Sequence, residues 1–317
     1  MSKTKKISGE VLSRLLYTLQ RIDIEDIDST SQINEILTAE LNKVENVFCD
    51  IEIDEGSVNN TFEYTRLSCF DDASYSKLDV MLPWTSYLDF HNGHSMGTPW
   101  SSRKRAKAQP FPDSLIVKLN ERIPLHDLSI LEVCCYEGHH SASMAMYSND
   151  VWAIDGRIEN VIKTLVRTWV CNCEDRVKTN LVDLEKYNLQ SAMRNFGRIE
   201  PFDLIYHRGV LYHLSHPVQH LKECATICQS YLYLHTQIAS NDAVNMDITV
   251  DNSIYRVYQY KEPKVSVSPF SGITSHAYWL TQESLIQALE KVGFRNIETL
   301  DVKEERNGPR IELIASK

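Results

Sequence analysis

Glycine is scarce in this sequence, at 11 of 317 residues, roughly half of what an average composition provides. No two glycines are separated by a single residue, so the chain has no G-x-G dinucleotide fingerprint, and it has no Walker loop. It also lacks an apolar run long enough to span a bilayer, and the apolar core of a signal peptide is missing behind its first residues. We therefore expect a cytoplasmic protein without membrane segments.

The eight cysteines lack the spaced pattern of a small secreted disulfide scaffold. Six of them occur in close pairs, none with C-x-x-C spacing: Cys134/Cys135, Cys171/Cys173 and Cys224/Cys228. His213, His216 and His220 straddle a predicted turn, so their nitrogens are not expected to converge on an ion. The sequence therefore predicts reduced thiols and no metal site.

Charge is unevenly distributed along the chain. Hydrophobic residues make up 43% and charged residues 24%, as in ordinary globular proteins, which excludes disordered and fibrous classes. The net charge is -10, but residues 21–55 alone contain 11 acidic and two basic side chains. The concentrated basic patch is Arg103–Lys107. Overall acidity argues against a nucleic-acid partner without excluding one, because the acidity is local.

The hydrophobic pattern divides the chain into three regions. Residues 1–48 have helical periodicity and predict a helical N-terminal arm, which could pair two copies into a homodimer. Residues 49–124 are mixed and aromatic, and we interpret them as a cap region next to a binding site. From 125 to 317, short apolar runs alternate with helical stretches, which predicts a parallel sheet with crossover helices. Residues 239–278 form an aromatic insertion in this third region.

Acidic residues stand at three successive strand ends of the predicted sheet. Glu132 belongs to the first strand, Asp155 ends the second and Asp183 follows the third. At such an edge, one carboxylate can meet a ligand ammonium group and another can accept hydrogen bonds from a ribose. Each position alone is explained by a turn or a helix cap. Together, the three favour a ligand with an amino-acid part and a nucleoside part.

Four stretches, taken in order, resemble the class I S-adenosylmethionine-dependent methyltransferases: residues 132–138, 154–160, 202–217 and 278–294. The resemblance covers about 125–317. It is similar in particular to the branch that contains small-molecule methyltransferases and tRNA wobble-uridine carboxymethyltransferases, which share the Gly-Val-Leu-Tyr-His run. It implies a doubly wound, Rossmann-like α/β fold with a seven-stranded, mostly parallel sheet. The implied cofactor is S-adenosyl-L-methionine, and the product is S-adenosyl-L-homocysteine.

The resemblance also implies roles for single residues. Those implied to bind the cofactor are Glu132, Cys134, Tyr136, Gly138, Asp155, Gly156, Arg157, Asp183, Leu184 and His207. Glu132 is expected at the ammonium group, Asp155 at the ribose, and Asp183 with Leu184 at the adenine. Cys134 and Tyr136 occupy positions where the family prefers glycine, so the backbone there is expected to approach the cofactor less closely.

The acceptor side is predicted from the segment after the fourth strand and from the aromatic segments. His207 and Tyr212 are the candidate catalytic residues, with His207 as a base where the acceptor must lose a proton. Trp84, His91 and Tyr255, with Trp279, are candidates for lining the acceptor site, since pockets collect aromatic rings. In-line methyl transfer needs mainly alignment and a dry approach.

Three functions remain open from the sequence. The favoured one is methyl transfer to a small-molecule acceptor. The second is an RNA-modifying transferase of the wobble-uridine type, for which the basic patch Arg103–Lys107 would have to join a larger basic face. The third is a binding module that keeps the fold without turnover, suggested by Cys134 and Tyr136 in the glycine positions.

Overall fold

The computed structural model describes residues 84–89, 95–96, 109–263 and 270–317. The predicted helical arm, His91 and the basic patch Arg103–Lys107 lie outside the described residues, and the boundaries predicted at 48 and 124 remain predictions. The chain forms two compact units, each built from several segments. The first contains residues up to Leu125, Tyr136–Asn149 and Ile158–Lys178; the second contains His126–Cys135, Asp150–Arg157 and Thr179–Lys317.

The first unit is mainly helical where it is described. A short antiparallel pair, β1 (Leu88–Asp89) and β2 (Ser95–Met96), precedes three helices: α1 (Ser114–Arg122), α2 (His139–Met144) and α3 (Ile158–Val170). The buried apolar residues of α3 recur at helical spacing and form a stripe along one side of the helix. Asp113 caps α1 by accepting a hydrogen bond from the Leu115 amide at 2.8 Å.

The second unit is built on a seven-stranded sheet with the order β11-β12-β7-β6-β3-β4-β5. In chain order, these strands are β3 (Ser129–Val133), β4 (Asp150–Asp155), β5 (Val177–Leu181), β6 (Phe202–Arg208), β7 (Cys228–Gln237), β11 (Asn296–Glu305) and β12 (Gly308–Ser316). β3 pairs in parallel with β4 and β6, and β6 with β7, whereas β12 is antiparallel to both of its neighbours. The predicted mostly parallel Rossmann-like fold is confirmed.

Three helices complete the second unit: α4 (Leu189–Asn195), α5 (Pro217–Ile227) and α6 (Gln282–Lys291). Pro217 opens α5, where its missing amide proton costs no hydrogen bond. Thr281 caps α6 by accepting from the Ser284 amide at 3.2 Å, and Gly293 follows the helix with a φ of 104°. Both helices therefore begin at residues that favour a helix start.

The insertion is a second sheet, which the sequence analysis missed. Strands β8 (Met246–Val250), β9 (Ser253–Lys261) and β10 (His276–Leu280) form an antiparallel sheet in the order β10-β9-β8. Along β9, buried and exposed residues alternate from Ser253 to Val257, which is the strand period. Among the described residues, no helix is long and apolar enough to cross a membrane.

The tight turn between β8 and β9 offers a test of the fold. Asp251 and Asn252 connect the paired residues Val250 and Ser253, with φ values of 48° and 60°. Positive φ at both positions is the geometry of a two-residue hairpin turn that favours glycine second. We expect Asn252→Gly to raise the free energy of unfolding by about 0.5–1 kcal/mol, measured by denaturant titration. Asn195→Gly, at the end of α4, is the control and should lower it.

Candidate functional site

The carboxyl edge of the second unit's sheet carries the predicted acidic residues. Glu132 lies within β3 and is 3% exposed, and Asp155 ends β4 and is 5% exposed. The Val182 amide donates to the Asp155 carbonyl at 2.8 Å, which brings the segment after β5 to the end of β4. The structure therefore places Glu132, Asp155 and Asp183 at one edge of the sheet.

Asp155 and Asp183 each also shape the turn in which they lie. The Arg157 amide donates to Oδ1 of Asp155 at 2.9 Å. Asp183 accepts from the Glu185 amide at 3.0 Å, and its other oxygen lies 2.8 Å from the Lys186 ammonium. The sequence offered helix capping as an alternative for Asp155 and turn formation for Asp183. In the structure, each side chain accepts from the amide two residues later, which is a turn. Their cofactor roles remain predictions.

The loop after β3 keeps a glycine-type backbone without the glycines. Cys134 and Tyr136 have φ values of 59° and 55°, and Gly138 has 72°. Side chains in this left-handed region cost roughly 1–2 kcal/mol per residue. Both positions adopt a conformation that glycine adopts more easily. The expectation that the backbone approaches the cofactor less closely here stays a prediction.

The surroundings of Cys134 disfavour its thiolate form. Burial raises its pKa well above the ordinary value, and the carboxylates of Asp155 and Glu132 raise it further. The thiol therefore stays protonated. The other five cysteines among the described residues are also free thiols.

Within the first unit, Glu137 is a buried carboxylate that the sequence analysis did not select. It accepts hydrogen bonds from the Thr85 and Ser86 amides at 2.8 Å each, and the Lys163 ammonium lies 3.0 Å away. Although burial acts to raise its pKa, the charges of Arg167 and Lys163 hold that pKa below the ordinary value. Glu137 thereby fixes the backbone at Thr85–Ser86.

The predicted acceptor residue Trp84 lies in the same cluster. It is 8% exposed, and the Arg167 guanidinium stacks over its ring at 4.6 Å. The Tyr136 hydroxyl is hydrogen-bonded to Thr85 Oγ1. Trp84 is therefore packed among neighbouring side chains of its own unit, and its role at an acceptor remains a prediction.

The structure contradicts the prediction that His207 acts as a base. Its ring has no exposed surface, and its Nε2 lies 3.0 Å from Nε2 of His220. Burial, together with His220, lowers its pKa well below the ordinary value. A ring without exposed surface offers no nitrogen to an incoming acceptor. The prediction failed because strand β6 turns this side chain into the core.

Tyr212, Trp279 and Tyr260 form an aromatic wall in the second unit. The Trp279 indole donates to the Tyr212 carbonyl at 2.8 Å, and the Tyr260 ring stacks on Trp279 with centroids 4.6 Å apart. The Arg310 guanidinium lies 4.8 Å from the Tyr212 ring centre. Trp279 is 7% exposed. Tyr255 is 3% exposed and belongs to the hydrophobic core, so the structure contradicts the predicted place of Tyr255 at the acceptor.

Comparison with known proteins identifies the family. Residues 102–299 match the methyltransferase domain family, and because this is more than half of the chain, the chain belongs to that family. The resemblance seen in the motifs is therefore confirmed.

Curated relatives are named tRNA U34 carboxymethyltransferase. The protein from Pasteurella multocida (strain Pm70) is 25% identical over 183 residues, which covers 56% of this chain and 49% of that protein. The protein from Haemophilus influenzae (strain PittEE) is 22% identical over 272 residues, covering 83% and 74%. The chain thus spans about half the length of the first of these relatives.

Among solved structures, the N-terminal domain of EvdMO1, in the presence of SAH and D-fucose, is similar with a TM-score of 0.62 and 23% identity. The match covers 78% of this chain and 97% of that chain. At this identity, the similarity supports the fold.

Proposed function

We propose that this chain is an S-adenosylmethionine-dependent methyltransferase that acts on a small-molecule acceptor. The observation that carries the proposal is the left-handed backbone at Cys134 and Tyr136. Strained residues of this kind persist where function needs the backbone shape. The chain adopts here a left-handed backbone that glycine adopts at no steric cost, although neither position is glycine.

The carboxylates of the second unit fit the charges of this cofactor. Glu132 would accept hydrogen bonds from the ammonium group of the cofactor, and Asp155 would accept from its ribose hydroxyls. Leu184, half-buried against the core, offers an apolar edge to the adenine. When bound, S-adenosylmethionine supplies a methyl group on a positively charged sulfur. The chain's residues bind and orient the partners and keep water away, which is most of what in-line transfer requires.

A small acceptor is favoured by the aromatic wall. Tyr212, Trp279 and Tyr260 present rings with few polar groups, as small-molecule sites do. The EvdMO1 domain, which shares the fold, was crystallised in the presence of D-fucose, which is a small molecule.

The relatives' name favours a second candidate, transfer to a tRNA wobble uridine. It predicts that tRNA binds and that log affinity falls linearly with log salt concentration. Filter binding of unmodified tRNA between low and physiological salt separates the two candidates.

Calorimetric titration with S-adenosylmethionine and S-adenosylhomocysteine tests the cofactor site. We expect both to bind, and Asp155→Asn to weaken them by about 1–3 kcal/mol, because hydrogen bonds to a charged acceptor are lost. Asp242→Asn, an exposed aspartate in the same unit, is the matched control. Absence of binding to folded wild-type protein, or equal affinity in both variants, would contradict the proposal.

A further inference from the structure

A histidine and a buried carboxylate lie in contact beside the aromatic wall. His213 ends the 3-10 turn Leu211–His213, and its Nδ1 lies 2.7 Å from Oε1 of Glu262. The Glu262 side chain is 1% exposed, and that of His213 is 19% exposed. The other Glu262 oxygen accepts from the Gly272 amide at 3.0 Å. Two contacts therefore fix this carboxylate against the imidazole.

The contact decides which ring nitrogen carries the proton. A carboxylate accepts, so in the neutral ring Nδ1 donates and Nε2 holds a lone pair. Nε2 of His213 has no hydrogen bond to a described residue, and this nitrogen is not fully buried. Unlike His207, this histidine presents an accessible proton acceptor in a fixed orientation.

The pair lies between the ribose end of β4 and the aromatic wall. The Arg157 guanidinium donates to the Ser271 carbonyl, next to Gly272. On the other side, the His213 and Tyr212 rings are 4.2 Å apart. A Cβ on Gly272 would lie 2.9 Å from the His213 carbonyl oxygen, so a glycine lets this loop close on the histidine. The accessible nitrogen is thus in the part of the second unit where cofactor and acceptor would meet.

We propose, on the basis of the function proposed above, that His213 is the general base, that Glu262 positions it, and that the acceptor is a hydroxyl compound. The acceptor oxygen forms a bond to the methyl carbon as the carbon–sulfur bond breaks, and that electron pair stays on sulfur. The hydroxyl proton passes to Nε2 of His213. The products are a methyl ether, S-adenosylhomocysteine and an imidazolium ion paired with Glu262. A hydroxyl needs such a base more than a thiol does, because it does not ionise near neutral pH.

The test uses His213→Asn, because the asparagine amide nitrogen can still donate to Glu262 while Nε2 is removed. His216→Asn is the matched control, since His216 is exposed and three residues away. Wild type and variants are assayed for methyl transfer to a panel of sugars, phenols, amines and thiols. We expect transfer to a hydroxyl, a loss of about 10²–10⁴-fold in kcat for His213→Asn, and near-normal rates for His216→Asn. Affinity for S-adenosylmethionine stays unchanged. Equal rates in the two variants, or transfer to amines or thiols alone, would overturn the proposal.

A second measurement needs no acceptor. Diethyl pyrocarbonate modifies accessible neutral imidazoles, and peptide mapping by mass spectrometry assigns each site in the full chain. We expect His213 to react well ahead of His207, and Glu262→Gln to slow its reaction several-fold. The Gly272 amide holds the glutamine oxygen and leaves the glutamine nitrogen facing Nδ1, so the ring proton moves to Nε2. The idea fails if His213 resists modification as His207 does, or reacts equally fast in Glu262→Gln. The cofactor titration reports separately on the proposed function, so the two failures are distinguishable. If no compound in the panel is methylated, the diethyl pyrocarbonate result alone tests whether Nε2 of His213 is an accessible proton acceptor.

Discussion

Replacing Gly138 by alanine is expected to lower the free energy of unfolding by about 2–5 kcal/mol. The residue has a φ of 72°, and an added Cβ would lie 2.8 Å from the Cα and Cγ2 atoms of Thr164. The positive φ and the contact between the added Cβ and Thr164 each lower the stability of the variant. Because α2 and α3 are both held at this point, the added methyl cannot be relieved by turning a flexible side chain.

Gly197→Ala is the matched control for this variant. Gly197 has a similar φ of 84°, but nothing lies within 4 Å of its added Cβ, so we expect a loss of about 1 kcal/mol. Thr164→Ser in the Gly138→Ala background removes the clash with Cγ2 but leaves the clash with the main chain of residue 164, so it should recover only part of the loss. Denaturant unfolding of the four proteins measures these differences. Equal losses for the two alanine variants would show that the approach of Gly138 to Thr164 is not tight.

Glu137→Gln has the second large expected effect. Glu137 has no exposed side-chain surface and lies against the buried Lys163, so the neutral variant leaves an excess of buried positive charge. Removing one partner from a buried ion pair costs about 3–5 kcal/mol. Exposed Glu121→Gln is the control and should be nearly neutral.

The contribution of the Glu137 charge to stability depends on pH. The folded protein holds the pKa of Glu137 below its ordinary value of 4.5. The stability that its charge contributes is therefore complete above pH 4.5 and is lost as the pH falls through the folded-state pKa. The stability difference between wild type and Glu137→Gln should shrink on acidification. If the difference persists unchanged at lower pH, the stability loss of Glu137→Gln comes from altered packing and not from the lost charge.

Local proteolysis at Thr85–Ser86 should also increase in Glu137→Gln, because the Thr85 and Ser86 amides lose one of their two acceptor oxygens.

Local signals in the sequence were sufficient for most of the sheet and its helices. The proline that opens α5, the threonine cap of α6 and the apolar run of β3 each depend on neighbours within a few residues. β9 also carried a local signal, since Tyr255 and Val257 alternate with exposed residues. The aromatic residues of the insertion instead led to the prediction that Tyr255 lines the acceptor site, which is wrong.

The buried carboxylates could not be found in this way. Glu137 meets Ser86 across 51 residues, and Glu262 meets His213 across 49. An isolated glutamate in a sequence is normally a solvated surface residue, and only the fold shows which one is enclosed. For the same reason, His207 was predicted at the surface of the site, because strand direction alone does not tell which face its ring takes.

The position of β12 has a consequence for synthesis of the protein. It is the last strand of its sheet in chain order, yet it lies between β7 and β11. Until residue 316 leaves the ribosome, the edge of β7 from Tyr231 to Gln237 has no partner. A nascent chain with an open strand edge is prone to pair with other chains. Slow translation of the last strand, or its deletion, should therefore increase capture of the newly made protein by chaperones.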